Sequence, residues 1–337
     1  MLRLRRLVTR VRAEGFTPGE FHKVCVSALV LVAVIVVTGA AVRLTGSGLG
    51  CSDWPNCNNS KLVDVSSNHS AIEQINRLFT FVVGLAVVLA ALGAWLRRPR
   101  RRDLLWLSAA LVAGIPAQGI VGAVVVWTNL NPLAVQLHFV LSMVLVAVGV
   151  VLVIRSREPD GAKRVSTVVP RTRHRLRLMV VWTAMAIVAG TVVTGTGPHA
   201  GDERARRFTF LSITWVARIH SAIVWIAVLM ALSLLWHLRR RAHDREVLDA
   251  PLTLWMCVAL LQGGVGYLQY ANGVPAPLVA VHVALATTLW ATSVWLWCTT
   301  SRPTGSAQTL IAASRRDSLL PEVATEFGEL ADNRREE

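Results

Sequence analysis

Three histidines, His138, His220 and His282, stand inside long apolar stretches of the chain. Ionisable side chains inside a bilayer are costly and normally face a partner or a cofactor. Each lies a short way in from the outer end of its stretch, at a depth of roughly 7 to 15 Å given the rise of a helix. Neutral imidazole is a good iron ligand, and two imidazoles from facing helices of a bundle can clamp a porphyrin. His220 and His282 fall on alternate apolar runs of one half of the chain, which makes them a candidate pair for a six-coordinate heme. Two other readings stay open, a histidine that only bonds a neighbouring carbonyl and a proton relay. A zinc or copper site is disfavoured, since no carboxylate, third histidine or cysteine cluster accompanies the pair at the usual spacing.

A second group opens the second apolar run, where Glu73, Asn76 and Arg77 follow one another. Glu73 and Asn76 are three residues apart and share a helix face. A carboxylate facing a cavity that holds an iron with one strong ligand suggests a reactive site. The alternative is that Glu73 and Arg77 are polar residues where a helix meets water. Arg77 and Arg218 are candidates to pair with carboxylates of a ligand, with a plain place at a helix end as the other reading. Cys51 and Cys57 flank "SDWPN" in a loop on the oxidising side, where a loop-pinning disulfide is the favoured reading and a redox-active pair the sharper one. Cys25, Cys257 and Cys298 read as small packing residues. His22, His174, His237 and His243 lie among basic residues and read as solvated, His69 falls in an outside loop, and His199 in "TGTGPHAGD" reads as a turn residue or a contact to a porphyrin edge.

The elements that carry these residues follow from composition. The chain has 337 residues, 53% of them hydrophobic, with a mean hydropathy of +0.50. It is too apolar for an ordinary soluble domain. Its net charge of +15 falls in short clusters between apolar runs, which reports membrane topology and argues against nucleic acid as a partner. A span needs about 20 apolar residues with every backbone group bonded within its own segment. Eight segments qualify, near 24–42, 73–96, 104–127, 133–154, 178–196, 210–236, 252–270 and 278–299. The expected fold is all-α, with little room for strands. Basic clusters at 3–23, 97–102, 155–177 and 239–245 mark one side as cytoplasmic, with both termini there. The first run has a basic flank and small residues at Ala40 and Ala41, as a cleaved leader would, but its length and the even number of runs favour an uncleaved span. The expected division is a basic cytoplasmic arm over 1–23, a four-helix bundle over 24–154, a cytoplasmic linker over 155–177, a second bundle over 178–299 and a disordered cytoplasmic tail over 300–337.

The halves repeat. At an offset of 144, Gln118, Gly119, Val121, Gly122, Val135 and His138 match Gln262, Gly263, Val265, Gly266, Val279 and His282. The same shift sets Asn76 on His220 and Glu73 on Ala217, while a shift of 149 overlays "TGSG" at 45–48 on "TGTG" at 194–197. Gln and His are rare in spanning helices, so these identities exceed apolar coincidence. The repeat predicts one interior site per half. The site of the first half has lost a histidine and gained a carboxylate.

The loop "VRLTGSGLGCSDWPNCN", "EQINR" opening the second helix, "QLH" in the fourth, "TGTGPHAGD" after the fifth, "RIH" in the sixth and "AVH" in the eighth resemble the heme A synthase family over roughly residues 24–299. The resemblance implies oxidation of a methyl group of heme O to the formyl group of heme A in the plasma membrane. It implies a heme b cofactor on His220 and His282, heme O on His138, Glu73 as the catalytic residue, and the family's paired loop cysteines at Cys51 and Cys57. It points to heme O synthase and terminal oxidase assembly factors as partners, beside an electron donor that the sequence does not name. One departure matters. The family pattern at the second helix is E-x-x-H-R, and here Asn76 replaces the histidine. Either the enzyme works with His138 as sole strong ligand and an open iron position facing Glu73, or the substrate site is degenerate; the retained Glu73 favours activity. The competing classes are a two-heme cytochrome that only moves electrons and a transporter built from repeats.

Overall fold

The computed structural model describes residues 15–58 and 61–304. Among them are eight helices long and apolar enough to cross a membrane, which makes this a multi-pass membrane protein. They are α1 (Pro18–Leu44), α2 (Asn68–Leu96), α3 (Arg102–Trp127), α4 (Pro132–Ser156), α5 (Pro170–Thr196), α6 (Ile213–Leu238), α7 (Ala242–Ala271) and α8 (Ala276–Thr299).

Local chemistry sets several starts. Thr17 caps α1 in a reciprocal box with Glu20, Pro18 supplies the fixed φ of a first turn, and Ser67 with Ser70 does the same work for α2. Asn131 caps α4 ahead of Pro132. Pro116 and Pro251 lie inside α3 and α7, where packed neighbours allow a break in the backbone ladder that an exposed helix would not survive.

The helix ends differ from the sequence-based bounds. The spans predicted from 24, 178 and 252 begin at Pro18, Pro170 and Ala242, because charged turns remain helical after the chain leaves hydrocarbon. The sixth helix begins at Ile213 rather than 210. The expectation of little strand holds except for two short segments, β1 (Arg164–Ser166) and β2 (Ser301–Pro303), which pair antiparallel with Val165 opposite Arg302. The stretch 155–177 is therefore more than a linker, and the chain just after α8 is tied back to it. Of the predicted arm and tail, residues 1–14 and 305–337 lie outside the described residues.

Around the first half, neighbours run α1–α2–α3–α4 and back to α1; around the second they run α5–α6–α7–α8 and back to α5, with α6 and α7 meeting least. The halves touch where α4 packs on α8 and α5 and where α1 packs on α8. Phe21, Cys25, Val87, Leu104, Val146 and Leu152 fill the first core. Trp255, Leu176, Met179, Leu234 and Leu248 fill the second. Trp290 of α8 donates its indole N–H to the Met143 carbonyl of α4 at 2.8 Å and joins the two. At the basic side, Arg97 is sealed against Asp160 at 2.7 Å, and Arg101 pairs with Asp103 while donating to the Arg155 and Glu158 carbonyls.

Candidate functional site

His220 on α6 and His282 on α8 come from helices that stand across the second bundle from one another. Each ring rests on a glycine of a neighbouring helix. A Cβ on Gly190 of α5 would sit 3.2 Å from His220 Cε1, and one on Gly266 of α7 would sit 3.1 Å from His282 Cε1. A side chain at either position would crowd the ring, which would have to give by a few tenths of an ångström. Nδ1 of both histidines is buried with no hydrogen-bond partner, and His282 Nε2 lies 3.1 Å from Gln262 Nε2. Buried ring nitrogens left without partners are a cost, and a group bound at Nε2 would fix the tautomer in which Nδ1–H turns to a nearby acceptor. Two such imidazoles facing one interior fit a porphyrin iron.

The equivalent place in the first half is built differently. His138 on α4 lies by Gly122 of α3, and its Nδ1 is also buried without a partner. Gln118 donates to Ser142 Oγ at 2.7 Å and to the His138 carbonyl at 3.3 Å, not to the ring. The reason is a single hydroxyl. Ser142 matches Ala286 in the repeat, so Gln262 has no such acceptor and turns to the His282 imidazole. Asn76 on α2 makes no hydrogen bond to His138, and its buried Oδ1 has no partner either.

Glu73 is only 6% exposed, so it does not stand in water. Its Oε2 accepts from the Cys51 backbone N–H at 2.8 Å, and its Oε1 accepts from Arg77 Nε at 3.0 Å and Nη2 at 2.6 Å. Arg77 also donates to the Asp53 and Asn56 carbonyls, so its guanidinium is occupied by the loop and by Glu73. Cys51 and Cys57 form a disulfide. The loop it closes lies over the first bundle: Trp54 meets Trp127 of α3 edge to face at 6.3 Å and leans towards Gly119. Asn58 donates to Asp64 Oδ2 at 3.0 Å and to the Gly50 carbonyl at 3.1 Å, and bonds from Asn58 and Ser66 hold the Asp64 carboxyl below the usual carboxylate range.

Residues 22–294 match the family described as cytochrome oxidase assembly protein, COX15-CtaA. The chain belongs to that family. Among relatives in it, the heme A synthase of Listeria welshimeri is 28% identical over 296 residues, covering 84% of this chain and 96% of the relative. The heme A synthase of Alkalihalophilus pseudofirmus is 26% identical, covering 81% and 94%, and that of Lysinibacillus sphaericus 23%, covering 79% and 90%.

Within this family member, the structure sets His220 and His282 on helices across one bundle and gathers Glu73 with Arg77 and the backbone of Cys51, which is bonded to Cys57. It leaves Asn76 and His138 unbonded to each other. Arg218 stacks on Trp215 at 5.4 Å on the exposed face of α6. His199 accepts Arg43 at its carbonyl and contacts the Val274 carbonyl through Nε2 at 2.7 Å, so it ties loops together. His22 is bonded to Ser156 at 2.7 Å and Arg157 at 2.8 Å rather than merely solvated. Sequence reasoning passed over Arg43, which reaches from α1 to the Thr194 and His199 carbonyls of the other half. The signal available was an arginine at the outer end of an apolar run, 43 residues into the chain. It also passed over Gly190, because small residues are common wherever spanning helices pack closely.

Proposed function

We propose that this chain is a heme A synthase, which oxidises a methyl group of heme O to the formyl group of heme A. The observation that carries the reading is the contrast between the halves: two buried imidazoles, His220 and His282, from helices across the second bundle, and in the first bundle one buried imidazole, His138, with the buried carboxylate of Glu73 on another helix. Full-length likeness to named heme A synthases supports it.

In this reading His220 and His282 hold a heme b in the second bundle, and that group, when bound, supplies one-electron relay. His138 holds heme O in the first bundle, the half that spans 24–154. Asn76 is too weak a ligand to replace a second histidine, so the face of the substrate turned to α2 stays open. Glu73 lies one helical turn from Asn76 and, in the oxidation, takes a proton near the substrate methyl or orients the group that delivers oxygen. Arg77 and the Cys51 N–H fix the direction of that carboxylate, and the disulfide loop above it keeps water from the site. In this reading the protein lies in the plasma membrane with both termini in the cytoplasm and the disulfide loop outside, which the clustering of basic residues supports. Heme O synthase and terminal oxidase assembly factors are the partners this reading implies.

Asn76 is the specific observation that favours a second reading, an electron-transferring cytochrome with a degenerate substrate site. Heme O supplied to membranes containing the protein, with an intact electron supply, separates the two. Extracted pigment containing heme A supports the synthase, and heme O recovered unchanged rejects it.

A further inference from the structure

Beside the histidine pair, at the seam where α6 and α7 meet least, three side chains are tied together. The Tyr267 hydroxyl of α7 accepts from Trp225 Nε1 of α6 at 2.9 Å and shares a second bond with Ser221 Oγ at 2.9 Å. Trp225 is 53% and Tyr267 55% exposed, so the cluster faces hydrocarbon, where no water competes for these bonds. It sits at the level of the imidazoles. Ser221 follows His220, and Tyr267 follows Gly266, the residue against which the His282 ring rests.

The first half lacks the tie. At the positions 144 residues earlier stand Arg77, Phe81 and Ala123. Arg77 is committed to Glu73 and the loop carbonyls, and Phe81 and Ala123 have no side-chain group to bond.

We infer that Tyr267, Trp225 and Ser221 form a clasp that closes the lateral seam of the second bundle and retains its heme. The inference rests on the reading of His220 and His282 as ligands of a resident heme. It accounts for a difference that ligands alone leave open: a cofactor must stay, a substrate must leave, and only the half with the cofactor carries the clasp. The α2–α3 seam of the first half has no such tie, and its two helices meet more closely than α6 and α7 do.

Heme transfer from the full-length protein to excess apomyoglobin, followed in the Soret band, tests the clasp. Tyr267→Phe removes both bonds at the hydroxyl and should release second-half heme about threefold faster or more, the effect of losing at least one hydrogen bond between spanning helices. Trp225→Phe should do the same, and its effect should shrink in the Tyr267→Phe background, because both changes remove the bond between these two side chains. Tyr270→Phe, on the same helix outside the cluster, should leave the rate alone, and Ser221→Ala gives a milder probe should the aromatic variants fold poorly. Release at the wild-type rate in Tyr267→Phe and Ser221→Ala, with unchanged thermal melting, overturns the clasp and leaves the ligand reading standing. Wild-type protein that takes up no second-half heme overturns both.

Discussion

Glu73 illustrates how a single side chain can be read two ways from sequence and one way from structure. A carboxylate at the mouth of a helix is ordinarily a solvated end group, yet this one is buried beneath Cys51 and Arg77. Removing its charge while keeping its shape should separate chemistry from architecture. Glu73→Gln is expected to lower heme O conversion by about 100-fold or more, the usual contribution of a positioned acid or base, while the heme b spectrum persists. Equal conversion by variant and wild type would remove Glu73 from the mechanism. Asn76 gives a second test at this scale. In the proposed reading Asn76→His supplies a second strong ligand to the substrate heme, which should change from high-spin to low-spin and no longer bind carbon monoxide; an unchanged spectrum would mean that Asn76 does not face the iron. The histidines and Glu73 were legible in the sequence because polar residues stand out in apolar runs. The Ser142 hydroxyl that redirects Gln118 was not, since a serine in a spanning helix most often bonds its own backbone.

At the scale of elements, hydropathy located the spans but not their ends. The first turns of α5 carry Arg171, Arg173, Arg175 and Arg177, and those of α7 carry His243, Asp244, Arg245 and Glu246, yet both are helical. Hydropathy registers the bilayer, whereas the hydrogen-bonded ladder continues past it. The β1–β2 pair escaped notice because three-residue strands carry too little alternation to be read. The disulfide loop is the element whose stability the site depends on. Asp64, with its carboxyl held below the ordinary value by Asn58 and Ser66, stabilises the loop at any pH above the unfolded carboxylate pKa of about 3.9, and that contribution is lost as pH falls through the lower folded value. Asp64→Asn should make the loop exchange amide hydrogen faster at neutral pH, to the extent that acid does in the wild type; identical protection in the two proteins at neutral pH would show that the carboxylate does not secure the loop.

For the whole molecule, α1–α4 are neighbours in turn and so are α5–α8, and the match at an offset of 144 is the sequence reading that proposes to relate the two sets. What the repeat could not convey is how the halves are joined: Arg43 and the Trp290 indole each bridge them through contacts between residues far apart in the chain, and the β1–β2 pair ties the stretch between them to the chain after α8. Reporter fusions at both termini should place them on the cytoplasmic side, and an external signal from either would reverse the charge-based orientation. The central claim is that two imidazoles of the second bundle grip one heme. Absorption spectroscopy of the purified protein and of its His282→Ala variant tests this most directly: the wild type should show a low-spin b-type spectrum that the variant lacks while remaining folded, and a variant that keeps that spectrum would contradict the account.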